Sequence, residues 1–150
     1  MVSFQDGYAL ILGVANYSKL NRLPATVLQD ARDIDHLLRS PIHCGYPDAN
    51  IRLLLDEQAT IAGIRQGMQW LAESASHSAT ALIFFSGHGG RIEQGPQASN
   101  YLIPYDCDPA HLAETAISGE ELTALLHNVR AQRLLVCFDS CYSGGVAEAK

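Results

Sequence analysis

The sequence predicts an α/β domain in three layers, a mostly parallel sheet covered by helices on both faces. Three observations lead there. Continuous apolar runs at residues 8–15, 51–55, 80–85 and 133–138 suit strands buried on both sides. The stretches between them repeat apolar residues at helical spacing. Strand and helix alternate along the chain, an order that lays parallel strands side by side through right-handed crossovers.

The run at 8–15 follows Asp6 and is far too short to span a bilayer, so it reads as a buried strand. Val27, Leu28, Ala31, Ile34, Leu37 and Leu38 then mark one face of a helix, with Asp30, Asp33, Asp35 and His36 on its wetter side. After the strand at 51–55, Thr60 is placed to cap a helix carrying Ile61, Ile64, Met68 and Leu71. The third strand, 80–85, leads into a loose Gly-, Gln-, Pro- and Ser-rich stretch at 91–100. Residues 101–106, which hold Pro104, fit a short hairpin or edge piece rather than a core strand. Ser118 and Glu121 stand at capping-box spacing ahead of Leu122, Leu125, Leu126 and Val129. The strand at 133–138 closes the series.

Composition narrows the function. With 150 residues, 47% of them hydrophobic and 17% charged, residues 1–150 form one domain able to bury a real core. A net charge of -6 with only 10 Lys and Arg, scattered along the chain, argues against nucleic-acid or anionic-membrane partners. The 4 cysteines show no CxxC pair, and no basic start precedes a long apolar stretch, so a reducing cytoplasmic setting is expected. Cys44, Cys107 and Cys137 are expected to be structural, and no metal-ligating cluster stands out.

The chemistry gathers at two strand ends. In open α/β sheets ligands sit at the carboxyl ends of the strands. His88 follows the third strand in Ser86-Gly87-His88-Gly89, and Cys141 follows the fourth in Asp139-Ser140-Cys141-Tyr142-Ser143-Gly144-Gly145. Both are expected on loops of one rim, where an imidazole can take the proton of a thiol and later hand one to a leaving amine. Gly87 and Gly89 would let the backbone turn sharply beside His88, and the amides of Gly89 and Cys141 offer two donors for an oxyanion. Gly144 and Gly145 would give a flexible exit from the nucleophile. Asp139 would project to the same side as Cys141 in extended geometry, bringing a carboxylate to the reaction centre. Two other readings stay open: a glycine-rich phosphate loop in a nucleotide- or signal-binding module, with only Arg91 as a nearby cation, and a catalytically silent scaffold.

These residues resemble the caspase-like cysteine peptidases, specifically the metacaspase and prokaryotic caspase-homologue branch. The resemblance rests on His88-Gly89 after an apolar strand, on Asp139-Ser140-Cys141 with Ser143-Gly144, and on a Cys lying about 50 residues beyond the His. Leu12-Gly13-Val14-Ala15-Asn16-Tyr17, then Leu23, then Asp30-Ala31 extend it over nearly the whole chain. It implies a caspase-like sandwich whose sheet is incomplete without a small subunit, with 1–150 as the large-subunit portion. Cys141 is implied as nucleophile, His88 as acid/base and Gly89 in the oxyanion hole. Asp30, Ser86 and Asp139 fall on the positions of an acidic first pocket, implying cleavage of proteins or peptides after Arg or Lys, and two carboxylates there would repel an acidic side chain. The residues alone leave Asp30 open between pocket and first-turn helix charge, and Ser86 between substrate contact and a bond to the rim backbone.

Calcium activates many metacaspases through clustered aspartates, but Ser99, Asn100, Ser118, Gly119 and Glu120 stand in that region here, so no cofactor is expected. The resemblance further implies maturation by a cut between large and small subunits, for which Lys150 suits the basic preference, and a role in regulated cell death or antiphage defence.

Overall fold

The computed structural model describes the backbone of residues 4–142 and the side chains of residues 4–140. In chain order the elements are β1 (Gly7–Gly13), α1 (Thr26–Arg39), β2 (Ile51–Leu55), α2 (Ile61–Ser74), β3 (Thr80–Ile92), β4 (Ser99–Leu102), α3 (Leu112–Thr115), β5 (Ile117–Ser118), α4 (Gly119–His127) and β6 (Arg133–Tyr142). The parallel part of the sheet runs β2-β1-β3-β6. Beyond the end of β1, the last residues of β3 pair antiparallel with β4, and β4 with β5.

Side chains alternate across this sheet, so each strand feeds two cores. Leu10, Leu12, Ile83 and Phe85 pack on one face beneath Ile64, Met68 and Leu71 of α2, with Leu122 and Leu125 of α4 at the margin. Ala9 and Ile11 join Ala31 and Leu38 of α1 and Ile51 of β2 on the other, with Leu82 and Phe84 beside them. Each of the large side chains sealed in this way contributes about 1.5–3 kcal/mol by leaving water. The three layers are those read from the apolar runs. Thr60 and Ser118 cap their helices as their spacing predicts, accepting the N–H of Gly63 at 3.0 Å and of Glu121 at 3.1 Å. The hairpin is also present, with Pro104 just past β4 rather than within it.

Three expectations are corrected. The third and fourth strands do not stop at 85 and 138 but continue to Ile92 and Tyr142, so His88 and Cys141 lie within strands and not on rim loops. The cause is pairing on both edges of β3: Gly89 stands opposite Leu102 of β4 and Tyr142 of β6 at once, and the whole stretch 85–90 is buried. Asp35 does not belong to a solvated face. It sits four residues after Ala31 on the buried stripe of α1, where Arg39 Nε meets both carboxylate oxygens at 2.9 and 3.0 Å, while Leu37 turns out to water at 43% exposure. Finally, α1 opens at Thr26, which places Asp30 beyond its first turn and removes the helix-charge explanation for that residue.

No helix of the described residues is long and apolar enough to cross a membrane. Gly144, Gly145 and Lys150 lie outside the described residues.

Candidate active site

Parallel register places Ser86 of β3 opposite Asp139 of β6, and His88 opposite Cys141. Adjacent strands run about 4.8 Å apart, so the two residues expected to react are neighbours across one rung of the sheet. The pleat puts Ser86 and His88 on the α1 face, following Leu82 and Phe84.

His88 is held from three directions. Its ring Nε2 lies 2.9 Å from the carbonyl oxygen of Asn21 in the segment between β1 and α1. A carbonyl only accepts, so Nε2 carries the proton and Nδ1 keeps its lone pair free to act as a base. The ring also lies against Tyr17, with centroids 4.8 Å apart. Its backbone N–H donates to Tyr17 Oη at 2.7 Å, and that hydroxyl donates in turn to the carbonyl of Ile103 at 3.3 Å.

Tyr17 thereby fills a gap in a ladder. Ile103 N–H donates directly to His88 O, at 3.3 Å, as an antiparallel hydrogen-bonded pair requires, but the return bond is replaced by the phenol bridge. Burial pushes the Tyr17 phenol well up despite the His88 N–H bond, so the hydroxyl stays protonated and able to bridge. Gly89 occupies the next rung, and alternation of the ladder turns its N–H away from β4, toward the β6 edge.

Gly87 has a different use from the turn its composition predicts. A Cβ there would stand 2.6 Å from Tyr17 Oη and 2.8 Å from Phe85 Cζ, so glycine is what lets the phenol reach the strand. Gly87→Ala is expected to lower stability by about 1–3 kcal/mol through this overpacking. Chemical denaturation measures it, and a change below about 0.5 kcal/mol would contradict the packing account.

The other expected site residues differ in how firmly they are placed. Ser86 is 1% exposed; among the described residues its hydroxyl makes no hydrogen bond, and its carbonyl accepts Val14 N–H at 3.0 Å. Asp139 is exposed on the neighbouring strand. Asp30 is exposed near the rim end of α1, and no hydrogen bond or ion pair ties it to Ser86 or Asp139. Tyr17, Asn21 and Asp56, to which the sequence assigns no role, prove to surround His88 or its supporting segment. Only long-range contacts reveal them, although the Asn16-Tyr17 pair within the resemblance was a signal.

Among the described residues no three His, Cys, Asp or Glu side chains gather as a metal-holding group. Ser99 Oγ accepts the N–H of Gly119 at 3.2 Å and donates to Asn100 O at 3.1 Å, so that hydroxyl serves the start of α4. A cavity of about 110 Å³ lies on the sheet's other face, lined in part by Phe85, Leu102, Leu122 and Phe138; neither Ser86 nor His88 borders it.

Comparison with known proteins places the chain in a family. The chain is 28% identical to Metacaspase-1B of Aspergillus fumigatus over 91% of its own length and 35% of that protein's. Metacaspase-1 of Saccharomyces cerevisiae is 28% identical, with 93% of this chain and 34% of the yeast protein covered. The chain thus spans about a third of the length of the curated relatives it matches. The crystal structure of a Geobacter sulfurreducens protein superposes with a TM-score of 0.72 at 25% identity, covering 93% of this chain and 52% of that one. Residues 6–150 match the family described as Caspase domain, and a strand-borne His paired in register with a strand-borne Cys is carried by a chain that belongs to that family.

Proposed function

We propose that the protein is a cysteine endopeptidase in which Cys141 is the nucleophile and His88 the acid/base. The rung that pairs His88 with Cys141, with Nε2 anchored on Asn21, is the observation that carries this. His88 Nδ1 takes the thiol proton, the thiolate attacks the scissile carbonyl, and the imidazolium returns the proton to the departing amine. Water then releases the acyl group from sulfur. The amides of Gly89 and Cys141 are the donors proposed for the oxyanion, the first as the resemblance implies.

The first pocket takes Arg or Lys. Asp139 supplies the charge, beside the buried Ser86 hydroxyl, which has no partner among the described residues and which a substrate donor would satisfy; Asp30 adds a second carboxylate from α1. No strand covers the outer edge of β6 within the described residues, and Leu135 and Phe138 are 54% and 44% exposed. An open apolar edge of this kind calls for a partner strand, which fits a small subunit completing the sheet after a maturing cut. A role in regulated cell death or antiphage defence rests on the resemblance, action in the cytoplasm on the cysteine usage, and independence of calcium on the family's acidic positions that are unmatched here.

A thiol-reactive peptide ending in Arg tests it. In the full-length protein, with and without calcium, it is expected to label Cys141 selectively in both conditions, as read by peptide mass mapping. Burial pushes the Cys107 thiol up, keeping it protonated and unreactive although Thr115 partly offsets the shift. Labelling spread over Cys44 and Cys137 would leave only a silent scaffold or a binding module, whereas equal labelling of Cys141 by an Asp-ending peptide would overturn the basic preference.

A further inference from the structure

We infer that Asp56 is a positioning residue for His88, acting through the segment that carries Tyr17 and Asn21; this rests on His88 being the acid/base. Asp56 follows β2 directly, far from the β3–β6 rung, and it is 9% exposed. Its Oδ1 accepts the N–H groups of Ala15 at 2.9 Å and Asn16 at 3.0 Å, and its Oδ2 accepts Asn16 Nδ2 at 2.7 Å. Three donors from two consecutive residues thus converge on one carboxylate.

Those two residues start the segment that holds the imidazole. Leu23 N–H donates back to Ala15 O at 2.9 Å, closing residues 15–23 into a loop whose neck is the pair that Asp56 grips. Inside the loop stand the two contacts to His88: Tyr17 Oη on its backbone N–H and Asn21 O on its Nε2. Ser18 N–H and Oγ, both bonded to Tyr105 O, fix the loop's far side at 3.2 and 3.1 Å. If the neck slides, the Asn21 carbonyl moves relative to the ring and the proton on Nε2 loses its acceptor.

The backbone at Asp56 is consistent with a position selected for its side chain. Its φ is +44°, the left-handed region that Asp and Asn enter more readily than other non-glycine residues. Burial opposes the charged form, but the bonds from Asn16 and Ala15, with the field of Arg32, outweigh it and hold the carboxyl below the usual range. A charged acceptor makes each of these bonds stronger than a neutral one would.

The test uses steady-state cleavage of an Arg-ending peptide by the full-length protein. Asp56→Asn keeps size and backbone preference but replaces a charged acceptor by a neutral amide, which holds the two backbone N–H groups more weakly and which Asn16 meets only by turning its own amide over; kcat is expected to fall about tenfold while KM stays within about twofold. Asn16→Ala, an exposed position whose loss leaves the fold intact, removes one of the three bonds and lowers kcat about threefold. The exchanged pair Asn16→Asp with Asp56→Asn restores a charged side-chain contact with donor and acceptor reversed, while the amide oxygen at position 56 still accepts the two backbone N–H groups, and it recovers part of the kcat lost in Asp56→Asn, to within about threefold of the parent. A residue that merely stabilised the fold would not yield a kcat loss at constant KM that the exchange rescues. Unchanged kcat in folded Asp56→Asn or Asn16→Ala, or no rescue by the exchange, overturns the inference. Should Asp56→Asn fail to fold, Asn16→Ala and the exchanged pair decide it. Full activity of His88→Ala would instead overturn the assignment of the acid/base itself.

Discussion

Replacing His88 by alanine in the full-length protein is expected to lower kcat for cleavage after Arg by about three orders of magnitude, the middle of the range for removing a general acid/base. Two losses combine: the thiol has no base within reach, and the leaving amine has no proton donor. The Nε2–H···O bond to Asn21 disappears as well, but the Tyr17 bridge contacts only the His88 backbone and remains. The fold should therefore persist, and thermal unfolding of the variant separates lost chemistry from lost structure. Cys141→Ala should cost as much, and the double variant little more, because the two residues act as a unit. Intact mass is expected to report the same dyad without added substrate: active full-length protein should be cut into two portions, whereas Cys141→Ala should stay one chain. A His88→Ala enzyme that keeps more than about a tenth of the activity would remove His88 from the mechanism.

The second large effect belongs to Asp139. Asp139→Asn should lower kcat/KM for Arg-ending peptides about 100-fold, the scale of leaving a desolvated cation without its partner. A peptide with a neutral isostere in place of Arg should change little, since it brings no charge to pair. Ser86 stands opposite Asp139 on the same rung, buried and with a hydroxyl that has no partner among the described residues, so Ser86→Ala should act in the same direction but more weakly. Asp30→Asn should matter least, because nothing in the structure fixes that exposed carboxylate near the rung. The discriminating measurement is the ratio of Arg to neutral-isostere cleavage. A ratio unmoved by Asp139→Asn would place the basic preference elsewhere in the protein.

Much of this architecture was legible from local pattern. Strands buried on both faces must be continuously apolar, which exposed the cores of β1, β2, β3 and β6; Thr60 and Ser118 announced their helices because a hydroxyl there has a backbone donor waiting. Strand lengths were not legible. Ser86-Gly87-His88-Gly89-Gly90 looks like a loop by composition, yet it is strand because two neighbours, β4 and β6, supply its hydrogen bonds. Asp35 misled for a related reason: a carboxylate on the buried stripe of α1 is tolerable only because Arg39 reaches it, and pairing of that kind is set by three-dimensional placement.

By itself, then, the sequence determined the layered α/β class, the family and the two residues on which the chemistry is proposed to turn, since each is written in periodicity or in a short motif. Only the tertiary structure decided how those residues meet. His88 and Cys141 come together through the β3–β6 register, and the imidazole is oriented by Tyr17, Asn21 and, behind them, Asp56. These contacts join segments tens of residues apart, and no local pattern encodes them, because hydrogen-bond geometry between distant backbones exists only once the sheet has formed.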